Sequence, residues 1–279
     1  MKYKIIGDSS LDMNEELLKR LQASCAPLRI SVGEDHFLDD GTLNLKAFMD
    51  IVASSNQVVK TAAPSPSDFL QYMSEEYDGV FIITLSSKLS ASYSSALIAR
   101  DLAKEAYPEL KVHVVDSLAA SAGQTTIAIR IQECIEKGME FEEIVREAEA
   151  FRDNDQLYFL LDNIDTLMKN GRMSRLKGLV AQLLHIKPIL GDNGQGEIEL
   201  FDKARTYSKA LEKLAEKIYS TALDTSNRVL VIAQCFAQER AEELKRMVSE
   251  NRQFQDIIIV PMKALSSVYA NVGGMVCAF

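Results

Sequence analysis

The chain has 279 residues, 47% of them hydrophobic and 25% charged, with a formal net charge of -9 at pH 7. That length favours two domains and is enough to bury a large apolar core. The acidic balance argues against a nucleic-acid binder, which needs a basic stripe, and against electrostatic attachment to anionic membranes.

In the first half, strand-like and helix-like runs alternate. Lys2 to Gly7 reads as a strand, and Asp12 to Leu21 as a helix with acids at its start. Leu28 to Val32 reads as a second strand and Asn44 to Ser54 as a second helix. Lys60-Thr-Ala-Ala-Pro-Ser-Pro-Ser-Asp68 is a stiff, hydroxyl-bearing loop before a helix. Pro66 suits the first helical position and Ser65 or Ser67 the cap. Capping leaves Thr61 unexplained, which makes it a candidate ligand contact.

Gly79-Val-Phe-Ile-Ile-Thr-Leu85 is a glycine-bounded apolar run, expected to be a buried strand, and Ala91 to Tyr107 has helical spacing stopped by Pro108. Between them lies Leu85-Ser-Ser-Lys-Leu-Ser-Ala-Ser-Tyr-Ser-Ser-Ala96. Such a loop, at the carboxyl end of a parallel strand and opening onto a helix, is where α/β proteins place anionic groups. Each serine, Ser90 and Ser92 included, also suits plain capping. Lys111 to Val115 is the next strand, followed by a helix. Asp8 and Asp116 each end a strand and precede a serine, a pattern open to turn capping or to Mg²⁺-assisted phosphoryl chemistry. The second carboxylate two residues on, which such metal sites use, is missing. The alternation predicts an N-terminal doubly wound parallel sheet.

Phe141 to Asp155 is a charged helix leading to a junction, which places the domains at 1–150 and 151–279. The second half restarts with Gln156 to Leu161. Asn170-Gly-Arg-Met-Ser174 sets Arg172 on a glycine turn, suited to gripping a carboxylate or simply to the surface. A basic amphipathic segment runs from Ser174 to His185. Lys187 to Leu190, the turn Gly191 to Glu197, and Ile198 to Phe201 form a hairpin. Lys203 and Arg205 begin a basic cluster that is either a solvated helix start or a docking patch for an acidic partner. Strand Arg228 to Gln234, helix Ala237 to Asn251 and strand Asp256 to Val260 complete a C-terminal α/β domain with a mixed sheet. No run reaches the roughly 18 apolar residues of a membrane span. The four cysteines and three histidines are scattered, which speaks against zinc and disulfide scaffolds and fits a reducing cytoplasm.

Several of these segments, in order, resemble the DegV family, which includes the fatty-acid-binding subunits of bacterial fatty acid kinase. The resemblance rests on Lys4-Ile-Ile-Gly-Asp-Ser-Ser10, Lys60-Thr-Ala-Ala-Pro-Ser65, Leu85 to Tyr93, Val115-Asp-Ser117, Leu161 to Ser174, Leu183 to Leu190, and Lys203-Ala-Arg205 with Lys209-Ala210. It implies two α/β domains enclosing one long-chain fatty acid, with no cofactor and no catalysis by the chain alone. By the matching positions, Thr61 and Ser90 would hold the carboxylate, with Arg172, Ser92 and Tyr269 close by. A separate kinase subunit would be the partner, with Lys203 and Arg205 as the docking candidates. The tail's roughly fourteen methylenes, at about 0.8 kcal/mol each, would contribute on the order of 11 kcal/mol, leaving the hydroxyls to orient the head. The chain departs from the family pattern at Ala62, Ala63 and Ala91-Ser92. Tyr269 stands in place of a histidine, keeping a hydrogen-bond donor while losing a group that titrates near neutrality.

Overall fold

A computed structural model describes residues 1–173, 176 and 186–279. The strands of the first half are β1 (Tyr3–Asp8), β2 (Ser24–Ala26), β3 (Arg29–Val32), β4 (Asp35–Leu38), β5 (Lys60–Ala62), β6 (Gly79–Thr84) and β7 (Lys111–Asp116). Four of them form the expected parallel sheet, in the order β2-β1-β6-β7. All six residues of β6 are buried, as its unbroken apolar run requires. Gly7 is needed in β1 because a Cβ there would lie 2.6 Å from Leu11, which folds back over the strand.

The Leu28 strand departs from expectation. It does not join the parallel sheet but forms a separate antiparallel one, β4-β3-β5. Gly33, at φ +63°, turns the chain back on itself, and Val32 then faces Asp35 across a two-residue loop. The edge strand of the parallel sheet is instead Ser24–Ala26, too short and too mixed to stand out. Thr61 likewise lies on β5, opposite Ile30, and not in a loop. Downstream, Ser65 caps the helix Pro66–Leu70 in a reciprocal arrangement with Asp68.

The second half contributes β8 (Leu157–Leu160), β9 (Lys187–Asp192), β10 (Ile198–Ala204), β11 (Val229–Gln234), β12 (Asp256–Pro261) and β13 (Met275–Ala278). They form one mixed sheet, β10-β9-β8-β13-β11-β12, in which β11 and β12 are parallel and the other neighbours antiparallel. The hairpin β9–β10 is as expected. The sequence reading missed β13, which lies near the middle of the sheet, and the helix Ala264–Ala270 before it. Apart from Leu176, the basic segment 174–185 lies outside the described residues.

The helix Ala122–Glu136 packs against both large sheets. Its first eight residues, from Ala122 to Ile129, are all buried, Gln124, Thr125 and Thr126 among them. A helix covered on every side cannot show an amphipathic stripe, and this one has small and hydroxyl residues where two sheets press close. One continuous cluster of buried side chains runs from Ile5 and Phe81 through Ile127 to Val231 and Val260, so the two halves share a core.

Candidate functional site

Asp8 organises the serine loop. Its Oδ2 accepts from the Leu85 amide at 2.8 Å and from Ser92 Oγ at 2.6 Å. Its Oδ1 accepts from the Ser10 amide at 3.1 Å and from Gln124 Nε2 at 3.0 Å. Burial pushes this carboxyl above its ordinary range, against the pull of those donors. Asp116 accepts from the amides of Ser87 at 3.0 Å and Leu118 at 3.3 Å. Both aspartates therefore pin loops at strand ends. Neither lines the cavity described below, and Asp8 has its lone pairs filled by protein donors. Ser92 also leaves the set of expected contacts, because its hydroxyl is fully buried against Asp8. Ser90, two residues earlier, is half-buried and accepts the Ser92 amide at 3.2 Å, which leaves its own hydrogen free to donate.

Ser90 opens onto a cavity of about 350 Å³ that also takes Thr61, Arg172 and Tyr269 into its wall. Leu85, Leu89, Phe159, Leu161, Leu265 and Val276 supply apolar surface, so both halves of the chain build it. Four expected contacts from four separate segments thus converge. Thr61 Oγ1 and Tyr269 Oη are hydrogen-bonded at 2.8 Å, two hydroxyls ready to turn toward an oxyanion. Gly171, at φ +75°, makes the turn that carries Arg172, as its spacing suggested. Asn170 fastens this turn to the strand side through Val59 O at 3.0 Å. The Arg172 guanidinium donates from Nε to Leu89 O at 3.2 Å and from Nη1 to Asn170 O at 2.5 Å. It forms no ion pair with any carboxylate among the described residues, which leaves its positive charge available to an anion.

Lys203 on β10 and Arg205 just after it are exposed and lie outside the cavity wall. Sequence reading missed three other hydroxyl-bearing cavity residues, Ser10, Ser121 and Ser266. Ser10 was visible only as part of a turn-like Asp-Ser-Ser, and the other two carried no local signal. Among the described residues no group of three or more His, Cys, Asp or Glu is arranged to hold a metal, and no helix is long and apolar enough to cross a membrane.

Behind the serines, Asp12 is wholly buried. It accepts from the Lys263 amide at 2.7 Å and from Ser121 Oγ at 2.6 Å, yet burial raises its carboxyl to about 7. Asp8 and Asp155 are raised by burial as well. A carboxyl whose pKa is higher folded than unfolded holds more protons in the native state, so its contribution is complete below about pH 4 and disappears as pH rises through about 7. Thermal stability is therefore expected to decline from pH 5 to pH 8. Asp12→Asn, which mimics the neutral acid, should flatten that slope in melting curves collected across the range. An unchanged slope would place the titration elsewhere.

A sequence profile of DegV, a family described as uncharacterised, matches residues 2–279. A DegV domain-containing protein of Streptococcus pneumoniae is 31% identical over 281 residues, with 100% of this chain and 99% of that protein covered. Among solved structures, a DegV family protein from Ruminococcus gnavus refined with vaccenic acid superposes with a TM-score of 0.94 at 36% identity, covering 99% of both chains. The Streptococcus pneumoniae Fatty Acid Kinase (Fak) B3 protein loaded with linoleic acid gives 0.89 at 30% identity, covering 100% of this chain and 99% of that one. A DegV family protein from Eubacterium eligens loaded with heptadecanoic acid gives 0.90 at 28% identity, covering 99% and 98%.

Proposed function

The chain belongs to the DegV family, and on that premise we propose that it binds one long-chain fatty acid in the cavity shared by its two halves. In this reading Thr61 and Ser90 donate to the carboxylate, Tyr269 adds a phenolic hydrogen bond, and Arg172 offsets the charge. The observation that carries it is the meeting of those four side chains on one apolar cavity. The similar proteins that hold vaccenic, linoleic and heptadecanoic acids support it. The chemistry agrees, since an acyl tail draws its affinity from apolar burial while a few fixed polar groups set its direction. Titration with a radiolabelled fatty acid tests it directly. Saturable binding of oleate, with no comparable binding of a short-chain carboxylate, is the expected result, and equal binding of both would contradict it.

We further read the protein as a carrier that performs no turnover alone and presents the carboxylate to a separate kinase in the cytoplasm. The domains would be 1–150 and 151–279. Lys203 and Arg205, exposed on an acidic molecule and free of ion pairs among the described residues, are the docking candidates. Arg205→Glu is expected to slow association with the kinase and reduce its salt dependence while lipid binding persists. Complex formation at the wild-type rate would remove this face from the interface.

A further inference from the structure

Asn170 lies outside the cavity wall, yet it joins two segments that build the head-group end. Its Nδ2 donates to Thr166 O in the preceding helix and to Val59 O in the first half of the chain, each at 3.0 Å. Val59 is buried and stands two residues before Thr61. Asn170 O in turn accepts Arg172 Nη1 at 2.5 Å. One side chain thus links the turn that carries Arg172 to the segment that carries Thr61, over a separation of 111 residues.

The turn needs such a link. The helix before it, Asp165–Lys169, has five residues and is too short to be stable by itself. Leu167 and Met173 are buried on either side, which fixes the depth of the segment. Apolar contact is non-directional, however, and does not aim the turn between them. Gly171 is exposed, with open space where a side chain would stand. Arg172 makes its own tether to the first half, from Nε to Leu89 O at 3.2 Å, but an anion at the guanidinium competes for that group. The Asn170 bond escapes this competition. A cation already fixed when the ligand arrives binds it better than one that must be ordered on arrival.

We propose that Asn170 is a positioning residue that sets Arg172 against Thr61, so that preference for the charged acid over a neutral ester depends on an amide outside the cavity. The inference rests on the fatty-acid reading of the same site. Plain helix capping is the competing role. The bond to Thr166 serves capping, and the bond to Val59 does not.

Titration of the full chain with oleate and with methyl oleate tests this in the wild type, Asn170→Ala, Arg172→Gln and the double variant. Asn170→Ala is expected to weaken oleate by about tenfold, the scale of one hydrogen bond to a charged group, and to leave methyl oleate unchanged. In the Arg172→Gln background the same change should cost oleate nothing further, because its effect passes through the guanidinium. Asn170→Asp, alike in shape but without hydrogens to donate, should match or exceed the alanine loss. Equal weakening of acid and ester, an undiminished loss in the Arg172→Gln background, or wild-type oleate affinity in both Asn170 variants overturns the assignment alone. Failure of the wild type to bind oleate overturns the fatty-acid reading together with it.

Discussion

Replacing Thr61 by Val and Ser90 by Ala together is expected to weaken oleate binding by at least two orders of magnitude. Hydrogen bonds to a charged group contribute roughly 1.5–3 kcal/mol each, and in this reading both hydroxyls meet the same carboxylate. Thr61→Val also takes away the partner of Tyr269, since the two hydroxyls are joined at 2.8 Å. The loss should be confined to the charged end. Methyl oleate, which has the same tail without the anion, should bind the double variant and the wild type alike. Equal weakening for acid and ester would point to a damaged cavity wall, and unchanged oleate binding would remove both residues from the site.

Asp8→Ala is expected to be the most destabilising single change at the serine loop. It leaves the amides of Leu85 and Ser10 and the Ser92 hydroxyl without their side-chain acceptor in a fully buried place, and Gln124 Nε2 with Ile83 O alone. Truncating one partner of such a network costs roughly 3–5 kcal/mol, which for a chain of this size lowers the melting temperature by about 10 °C. Ser92→Ala removes a single donor and should cost about 1–2 kcal/mol. The comparison separates an anchoring aspartate from a catalytic one. If Asp8 served phosphoryl chemistry, its replacement would abolish a metal-dependent turnover while leaving melting unchanged or raising it.

Much of the fold could be read from the chain because its apolar blocks are bounded by glycine, proline and polar turns. β6, β7 and the hairpin β9–β10 announced themselves in this way. What could not be read depended on tertiary surroundings. β2 is three residues long and carries no apolar run. β13 is a strand only because β8 and β11 lie on either side of it. The helix Ala264–Ala270 is buried at all but one of its residues, so no polar face marks its period. β3 was legible as a strand, but its sheet was decided by the Gly33 turn.

The site divides along similar lines. Thr61 stood out because local capping left it unexplained and Arg172 because it sits on a glycine turn, whereas Ser90 was separated from the other serines of its loop only by the family pattern. Tyr269 was found through the family pattern, and its contact with Thr61 spans 208 residues, beyond the reach of any local rule. Ser92 was wrongly grouped with Ser90, since two residues around the start of a helix turn a side chain from the cavity to Asp8. Ser266 gave no local signal in the sequence, because what brings it to the cavity wall is the packing of its helix against the other half of the chain.

The central claim meets its most direct test in mass spectrometry of the organic extract from purified, denatured protein. The account predicts a long-chain carboxylic acid present in near-equimolar amount with the chain. An extract free of acyl lipid, from protein that also takes up none when offered oleate, would contradict it.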